Sequence, residues 1–170
     1  MGLILAFAGH RPQKIGGYWD SAVGQWVYEE MRGALLHIRP TLCLSGMALG
    51  VDQWGAELAL ALGIPFWAIV PFEGYEERWP DSAQAHYREL LAKAANTVYV
   101  CSGGYDPQKM QRRNEYLVDK ADVLLAVYDG TSGGTQNCYH YAEKRIADGA
   151  KLRIERINPC RRHVGRTVPT

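Results

Sequence analysis

Val123-Leu-Leu-Ala-Val127-Tyr-Asp-Gly-Thr-Ser-Gly-Gly-Thr135 is the most informative segment of this 170-residue chain. Its apolar opening is typical of a strand buried on both faces, and the residues from Gln136 to Asp148 have a helical pattern. A strand, a glycine-rich turn and a helix start present free backbone N–H groups to an anion, usually a phosphate. Hydroxyl groups add further donors. The candidate phosphate-binding residues of this turn are Asp129, Gly130, Thr131, Ser132, Gly133, Gly134 and Thr135.

A similar turn, Ser45-Gly-Met-Ala-Leu-Gly-Val-Asp52, follows another apolar run. It lacks the spacing of a dinucleotide fingerprint, and no Gly-Lys-Ser/Thr follows as in a Walker loop. The Asp52 carboxylate would repel a phosphate, so it suits a ribose hydroxyl, a base edge or a metal. Alternatively, it interacts with the helix dipole. The ligand-binding candidates here are Ser45, Gly46, Met47 and Gly50, and Asp52 is a candidate catalytic acid.

Apolar runs alternate with helix-like stretches along the whole chain. Strands are predicted at 3–8, 41–44, 65–70, 97–101 and 123–127, with a sixth at 152–157 whose alternating charges favour a sheet edge. Helices are predicted at about 20–37, 50–62, 81–95, 108–120 and 136–148, and Asp20 or Ser21 could cap the first of them. This alternation predicts an α/β, Rossmann-like three-layer fold: a mostly parallel sheet of five or six strands with helices on both faces. Ligands in such sheets bind at the carboxyl ends of the strands.

Polar residues gather near further strand ends. Gly9 lets the chain turn after the first strand, where His10 and Arg11 could contact a phosphate or a carboxylate. The alternative is a capping turn with a solvated arginine. Arg113 and Asn114 lie on the helix before the fifth strand. They could clamp a phosphate and read a base or sugar, or they could simply form an exposed helical face.

The loop at 71–80 is rich in aromatic and acidic residues. Glu73, Glu76 and Glu77 could supply a nucleophile or general base for glycosidic chemistry, with Glu73 as the catalytic candidate. The alternative is a surface loop with solvated acids. Tyr75 and Trp79 could stack on a base or cover an edge of the core.

The composition fits one globular domain, since hydrophobic residues make up 47% and charged residues 22% of the chain. We expect a single nucleotide-binding domain over residues 1–157 and a basic, partly mobile tail over 158–170. The formal net charge of +1 argues against nucleic acid as the partner, although basic residues near the C-terminus leave a local patch open. These residues are Lys151, Arg153, Arg156, Arg161, Arg162 and Arg166.

The four cysteines, Cys43, Cys101, Cys138 and Cys160, form no C-x-x-C pair. They are typical of buried thiols in a reduced cytoplasmic protein rather than of a disulfide framework or a zinc site. No apolar stretch is long enough to span a membrane, and residues 3–8 are too short for a signal-peptide core. We therefore expect a cytoplasmic protein without a metal site, a cofactor or a membrane association.

Together these motifs resemble the YoqJ/YpsA-like proteins of bacteria and their phages, over roughly residues 2 to 157. That family belongs to the SLOG superfamily, with the Lonely Guy (LOG) cytokinin-activating enzymes and the DNA-processing protein DprA. The resemblance implies a Rossmann-like fold that binds a nucleotide or nucleotide-derived ligand, and it implies a homodimer. The motifs that carry it are Gly9-His-Arg-Pro-Gln-Lys14, Ser45-Gly-Met-Ala-Leu-Gly-Val-Asp52, Pro71-Phe-Glu73 and Arg113-Asn114 through Gly133-Gly-Thr135.

The LOG motif, Met-x-x-Arg-Lys followed by Pro-Gly-Gly-x-Gly-Thr-x-x-Glu, is only partly matched. Met110 and Arg113 are in register, but Asn114 stands at the Lys position and Cys138 at the position of the catalytic Glu. In LOG enzymes that Glu acts in cleaving the N-glycosidic bond of a nucleoside monophosphate. A thiol cannot stabilise an oxocarbenium-like centre as a carboxylate does. The resemblance therefore implies a retained phosphate-binding frame without the known catalytic acid.

We expect the chain to bind a nucleoside phosphate or an ADP-ribose-like molecule at the carboxyl ends of the strands, as a sensor. The alternative is an N-glycosidic hydrolase or transferase acting on nucleoside monophosphates, with Glu73 or Asp52 as its carboxylate. A second alternative is DprA-like binding of single-stranded DNA, which predicts a basic stripe with exposed aromatic residues.

Overall fold

The computed structural model describes residues 2–15, 17 and 21–167. Strands and helices alternate as predicted, and a short 3₁₀ helix at Pro12–Ile15 follows the first strand. The strands are β1 Ile4–Gly9, β2 Leu42–Ser45, β3 Phe66–Val70, β4 Asn96–Tyr99, β5 Val123–Val127, β6 Arg153–Asn158 and β7 His163–Thr167. The helices are α1 Ala22–Ile38, α2 Val51–Ala61, α3 Asp81–Lys93, α4 Pro107–Lys120 and α5 Gly134–Ala147.

The strands form one sheet in the order β4-β3-β2-β1-β5-β6-β7. All neighbouring pairs are parallel except β6 and β7, which are antiparallel. The chain builds outward from β1 to β4 on one side and then continues from β5 on the other side of β1. The direction of winding therefore switches between β1 and β5, where open α/β sheets leave a crevice at the carboxyl ends of the strands.

Two apolar layers cover the two faces of the sheet, which confirms the predicted three-layer fold. Side chains alternate along β1, so Phe7 packs in one layer and Ala6 in the other. The first layer takes residues from α1, α2 and α3, including Met31 and Tyr87. The second takes residues from α4 and α5, including Leu117. Because both faces are covered, the central strands are continuously apolar, as their sequences indicated.

Side-chain caps set the starts of two helices. The hydroxyl of Ser21 accepts a hydrogen bond from the backbone N–H of Gly24 at 2.9 Å and caps α1, as predicted. Asp20, the other predicted cap, lies outside the described residues. The carboxylate of Asp106 caps α4 at 2.9 Å, ahead of Pro107 in the first turn. Among the described residues, no helix is long and apolar enough to cross a membrane.

The sheet has seven strands rather than the five or six predicted, and β6 is not at an edge. Residues 163–167 of the expected tail form β7, which pairs with β6 along its length. Glu155 lies directly opposite Arg166, and Nε of Arg166 is 3.0 Å from Oε1 of Glu155. The alternating charges of β6 are therefore explained by a covering strand with a complementary charge, and the edges of the sheet are β4 and β7.

Candidate functional site

A cleft of about 480 Å³ lies at the carboxyl ends of β1 and β5, where the topology switches. Its walls come from the loop after β1, the region around the start of α2, helix α4 and the start of α5. Many of the predicted site residues, although far apart in sequence, line this one cleft. They are Gly9, His10, Arg11, Asp52, Arg113, Asn114, Ser132, Gly133, Gly134 and Thr135.

Other predicted residues shape the cleft from behind without lining it. The hydroxyl of Ser45 is fully buried, donates to the backbone oxygen of Asp52 at 2.7 Å and accepts the N–H of Met47 at 3.2 Å. It is therefore held by the turn itself rather than offered to a ligand. Gly50 has φ of 94°, and a Cβ there would lie 2.9 Å from the backbone oxygen of His10. Gly50 thus lets the β2–α2 turn pack closely against the loop after β1.

The catalytic candidate Glu73 is not part of this assembly. It is exposed on the loop between β3 and α3 and is not among the residues lining the cleft. In the same loop Tyr75 does line the cleft, whereas Trp79 packs edge-on against Tyr75 and Tyr87, with centroids 5.0 and 5.3 Å away. Trp79 therefore covers an edge of the core, which is one of the two alternatives that the sequence left open.

The start of α5 supplies the strongest anion-binding feature of the cleft. Gly133, the residue just before α5, has φ of 142°. No side chain in the described part of the chain caps the helix there. The first backbone N–H groups of α5 therefore face an end where the helix dipole is positive. A glycine is required at residue 133, because other side chains rarely adopt this φ.

A lysine from the 3₁₀ helix reaches across to the same turn. Nζ of Lys14 donates to Oγ1 of Thr131 at 2.9 Å and to the backbone oxygen of Ser132 at 2.7 Å. Lys14 also lines the cleft, so its charge adds to the positive end of α5. Thr131 is held in turn by Asp129, whose Oδ1 accepts its backbone N–H at 2.8 Å and its hydroxyl at 2.7 Å. Hydrogen bonds to Lys14 and to Asp129 thus hold the glycine-rich turn in place.

A buried polar network joins α4 to both glycine-bearing turns. Arg113 donates from Nη1 to the backbone oxygen of Gly46 and from Nε to Oδ1 of Asn114 at 3.0 Å. Asn114 in turn donates to the backbone oxygen of Gly134 at 3.3 Å. Arg113 is only 6% exposed, so its charge acts with little screening. The network fixes the start of α5 relative to the β2–α2 turn.

Asp52 is the acid of this network. Its Oδ2 lies 3.8 Å from Nη1 of Arg113 and accepts the backbone N–H of Ala48 at 3.3 Å. Burial raises the pKa of this carboxyl, and the charges of Arg113 and Arg11 and the bond from Ala48 offset only part of that effect. The separation of 3.8 Å is long for an ion pair, so the charge of Arg113 does not offset the effect of burial on the pKa of Asp52.

His10 and Asp129 form a second pair at the rim of the same cleft. Nε2 of His10 lies 2.8 Å from Oδ1 of Asp129, and the imidazole is 3% exposed. Burial lowers the pKa of His10, although Asp129 acts in the opposite direction. Partial burial alone would raise the pKa of Asp129, but the hydrogen bonds from Thr131 and the contact with His10 lower it. At neutral pH the pair is therefore a neutral imidazole beside a carboxylate.

Cys138 lines the cleft one turn into α5 but has no reactive thiolate. Its side chain is 1% exposed, and burial raises the pKa of the thiol to about 12. A thiol with that pKa is neither a nucleophile nor a charged stabiliser at neutral pH. The residue at the position of the LOG glutamate is thus a packing residue.

Some residues that line the cleft were not among the predicted binding residues. They include Gln13, Lys14, Met110 and the apolar Phe7, Ala8 and Ala48. Lys14 and Gln13 belonged to a quoted motif, but nothing in the spacing showed that a 3₁₀ helix would bring them to a turn more than a hundred residues away. Met110 lies one helical turn before Arg113, so the helical period of α4 was a signal that could have found it.

Fold and cleft together define a Rossmann-like α/β protein with a cationic cleft at its topological switch point. The profile of the YspA SLOG family matches residues 5–161. The chain therefore belongs to the YspA SLOG family, which confirms the resemblance drawn from the motifs.

Relatives of the chain span most of its length. The UPF0398 protein BH1768 of Halalkalibacterium halodurans is 25% identical over 166 residues, covering 92% of this chain and 88% of that protein. The SPbeta prophage-derived protein YoqJ of Bacillus subtilis (strain 168) is 32% identical over 117 residues, covering 59% of this chain and 68% of that protein.

Solved structures share the fold at low sequence identity. DprA from Streptococcus pneumoniae superposes with a TM-score of 0.60 at 16% identity, over 84% of this chain and 47% of that protein. DprA from Helicobacter pylori, described for its single-stranded DNA binding mode, gives 0.61 at 19% identity, over 84% of this chain and 61% of that protein. The matched region thus spans about half of the first protein and three fifths of the second, and the likeness is one of fold.

Proposed function

We propose that this chain binds a nucleotide or nucleotide-derived ligand in the cleft, with a phosphate group at the start of α5. The observation that carries the proposal is that Gly133, Lys14 and Arg11 line one cleft, with Lys14 bonded to the turn that leads into α5. An uncapped helix start with nearby cations is the usual protein environment for a phosphate. No single one of these features would distinguish a ligand site from an ordinary turn.

The charge balance of the cleft favours an anion. Three cationic side chains line it, Arg11, Lys14 and Arg113, against the single carboxylate of Asp52. His10 adds no charge at neutral pH, because burial lowers its pKa. The whole chain has a formal net charge of only +1, so this excess is local. A volume of about 480 Å³ falls within the range of pockets for nucleotide-sized ligands.

The side of the cleft away from α5 suits a base or a sugar. Tyr75 comes from the loop after β3, whereas α5 follows β5, on the other side of β1 in the sheet. Met110 and the aromatic ring of Tyr75 are apolar surfaces on which a base can pack. Asp52 lies within the same lining and offers an acceptor to a ribose hydroxyl.

Calorimetric titration with AMP, ADP and ADP-ribose, each compared with adenosine, tests the proposal. We expect the phosphorylated ligands to bind at least about tenfold more tightly than adenosine, since a charge-assisted hydrogen bond contributes about 1.5–3 kcal/mol. Arg11→Gln should weaken that binding, whereas Arg112→Gln should not, because Arg112 is exposed on α4 and does not line the cleft. Folded protein that binds none of the three phosphorylated ligands would contradict the proposal.

A second candidate, N-glycosidic hydrolysis of nucleoside monophosphates, is favoured by one observation. Asp52 is a buried carboxyl in the cleft lining, and burial raises its pKa, as in many catalytic acids. Incubation with nucleoside monophosphates and chromatography of the free base test this candidate. Base release that disappears in Asp52→Asn would support it, and absence of free base would exclude it for those substrates.

Two smaller proposals concern binding of single-stranded DNA and the oligomeric state. The likeness of this fold to DprA from Helicobacter pylori, described for its single-stranded DNA binding mode, makes a single-stranded oligonucleotide a useful competitor. We expect it to displace the nucleotide weakly and only at low salt. We also propose a homodimer, which light scattering coupled to gel filtration measures directly. A monomer at every concentration tested would contradict it.

A further inference from the structure

Arg156 on β6 is held in a fixed position beside the glycine-rich turn, outside the lining of the cleft. Its Nε donates a hydrogen bond to the backbone oxygen of Tyr128 at 2.9 Å. Its Cζ lies 4.8 Å from the ring centroid of Tyr128 and 5.6 Å from that of Tyr139, and both tyrosines are buried. Because a backbone bond and two aromatic rings hold the guanidinium, its orientation is set before any ligand binds.

The two terminal nitrogens of Arg156 are available to an acceptor. A guanidinium donates from Nη1 and Nη2 as well as from Nε. Among the described residues, no protein group accepts a hydrogen bond from Nη1 or Nη2 of Arg156. The planar fork of these nitrogens matches the oxygens of a phosphate group. Arg156 is thus an oriented donor to an anion, and the described part of the chain leaves that fork unoccupied.

The strand next to β6 leaves this guanidinium uncovered. Gly165 on β7 lies directly opposite Arg156, and directly opposite residues share one face of the sheet. Neither the backbone nor crowding requires a glycine there, since its φ is not positive and a Cβ would come no closer than 3.7 Å to the ring of His163. What glycine provides at this position is therefore an open face over Arg156.

The guanidinium lies close to the cleft as well as to the glycine-rich turn. A Cβ built at the exposed Gly130 would be 3.7 Å from Nη2 of Arg156. The chain from Gly130 to Gly134 spans at most about 14 Å, because an extended residue covers about 3.3–3.6 Å. Burial and, to a smaller extent, the charges of Lys14 and Arg156 lower the pKa of His10, which lines the cleft. Arg156 is therefore within reach of a ligand bound at the start of α5.

The charges around Gly130 favour an anion. Lys14 bonds to the turn that holds Gly130. Asp129 is the acid of that turn, but its Oδ1 already accepts two hydrogen bonds from Thr131, at 2.8 and 2.7 Å. Together with Arg156, two cations therefore act on one carboxylate that is already engaged. This balance attracts a further negative group rather than a positive one.

We propose that Arg156 and the backbone at Gly130 form a second phosphate subsite, so that the ligand of this protein is a nucleotide with two phosphate groups. The inference rests on the proposed function, which places the first phosphate at the start of α5. The second phosphate is either joined to the first, as in a nucleoside diphosphate, or carried by the sugar, as in a nucleoside bisphosphate. Both arrangements keep the two groups within the span of about 14 Å that the turn allows.

Calorimetric titration of the full chain with AMP, ADP and adenosine 3′,5′-bisphosphate, in the presence of EDTA, tests the second subsite. We expect ADP or the bisphosphate to bind at least about tenfold more tightly than AMP, because the added phosphate gains charge-assisted hydrogen bonds. The quantity compared between variants is this ratio of affinities. Any effect of a substitution on folding or on the first phosphate cancels in the ratio.

Arg156→Gln should bring the ratio to within about threefold of one, because an amide has neither the charge nor the fork of a guanidinium. The matched control is Arg153→Gln. Arg153 lies on the same strand an odd number of residues away, so its side chain is on the opposite face of the sheet. There its Nε is 3.8 Å from Oε1 of Glu155. The ratio in Arg153→Gln should match that of the wild type.

Gly165→Glu tests the subsite without removing the arginine. The new carboxylate would occupy the fork of Arg156 from within the protein, since cross-strand partners have Cβ atoms about 4.5–5.5 Å apart. We expect the ratio to fall as it does in Arg156→Gln. Gly165→Gln has the same size without the charge, and it should lower the ratio by less than about threefold.

The outcomes are distinct. Protein that binds AMP but gains nothing from a second phosphate overturns the second subsite and leaves the proposed function standing. A gain that Arg156→Gln retains also overturns it, as does an equal loss in Arg153→Gln, which would show an effect of net charge alone. Where Arg156→Gln does not fold, a gain retained by Gly165→Glu overturns it. Absence of binding to all three ligands overturns the proposed function and the second subsite together.

Discussion

Replacing Gly46 with alanine would insert a methyl group between Arg113 and Asp52. A Cβ at residue 46 would lie 2.5 Å from Nη1 of Arg113 and 2.7 Å from Oδ2 of Asp52, both closer than real Cβ contacts come. Flexible side-chain ends normally move aside at small cost. These two cannot, because Arg113 is 6% and Asp52 5% exposed and the guanidinium is already bonded to Gly46 and Asn114.

The expected loss in the free energy of unfolding follows from the contacts that the new methyl group displaces. Overpacking a filled site costs about 1–3 kcal/mol, and a hydrogen bond to a charged group contributes about 1.5–3 kcal/mol. Since one such bond of Arg113 is displaced and some relaxation occurs, we expect Gly46→Ala to lower the free energy of unfolding by about 2–4 kcal/mol. For a domain of this size that corresponds to a fall in Tm of roughly 5–15 °C.

Urea denaturation followed by far-ultraviolet circular dichroism measures the effect. The matched control is Gly33→Ala, because a Cβ at Gly33, exposed within α1, meets no atom within 4 Å. Alanine there should raise the free energy of unfolding by about 0.5–1 kcal/mol through its helix propensity. A Gly46→Ala protein within about 0.5 kcal/mol of the wild type would refute the view that the network holds Arg113 in place.

Three further predictions follow. Lys14→Met should weaken binding of phosphorylated ligands by about tenfold, since it removes a charge-assisted contact, while stability changes by less than about 1 kcal/mol because the lysine is exposed. Iodoacetamide should label Cys160 of native protein at mildly alkaline pH and spare Cys43 and Cys138, because burial raises the pKa of each of those thiols to about 12. Glu155→Ala should accelerate amide exchange in β7 by about tenfold and leave β1 unchanged, since the half-exposed Arg166 loses its partner.

Each of these three predictions has an outcome that would contradict it. Lys120→Met, on the exposed end of α4, should leave ligand binding unchanged, and an equal loss in both lysine variants would show a mere effect of net charge. Labelling is followed by peptide mass spectrometry, and modification of Cys138 at the rate of Cys160 would contradict its burial. Amide exchange is read by mass spectrometry, and unaltered exchange in β7 would show that backbone pairing alone holds that strand.

Local patterns predicted most of the elements for a physical reason. The continuous apolar runs of β1 and β5 reflect burial on both faces, which the sequence displays residue by residue. The glycines at 46, 50 and 133 marked turns, because only close backbone approach or an unusual φ requires glycine there. The β7 strand escaped prediction, since its exposed, basic sequence resembles a solvated tail and becomes a strand only by pairing with β6.

The layers, the turns and the family could be predicted from the sequence, because hydrophobic periodicity, glycine placement and motif spacing are local properties of the chain. Which loops meet depends on the packing of the whole sheet and its helices. The sheet order, set by long-range strand pairing, places the turns after β1 and β5 side by side and leaves Glu73 outside the cleft. The same packing brings Lys14 to the α5 turn and places Asp129 behind His10. These contacts join residues more than a hundred positions apart, where no local pattern carries information about distance.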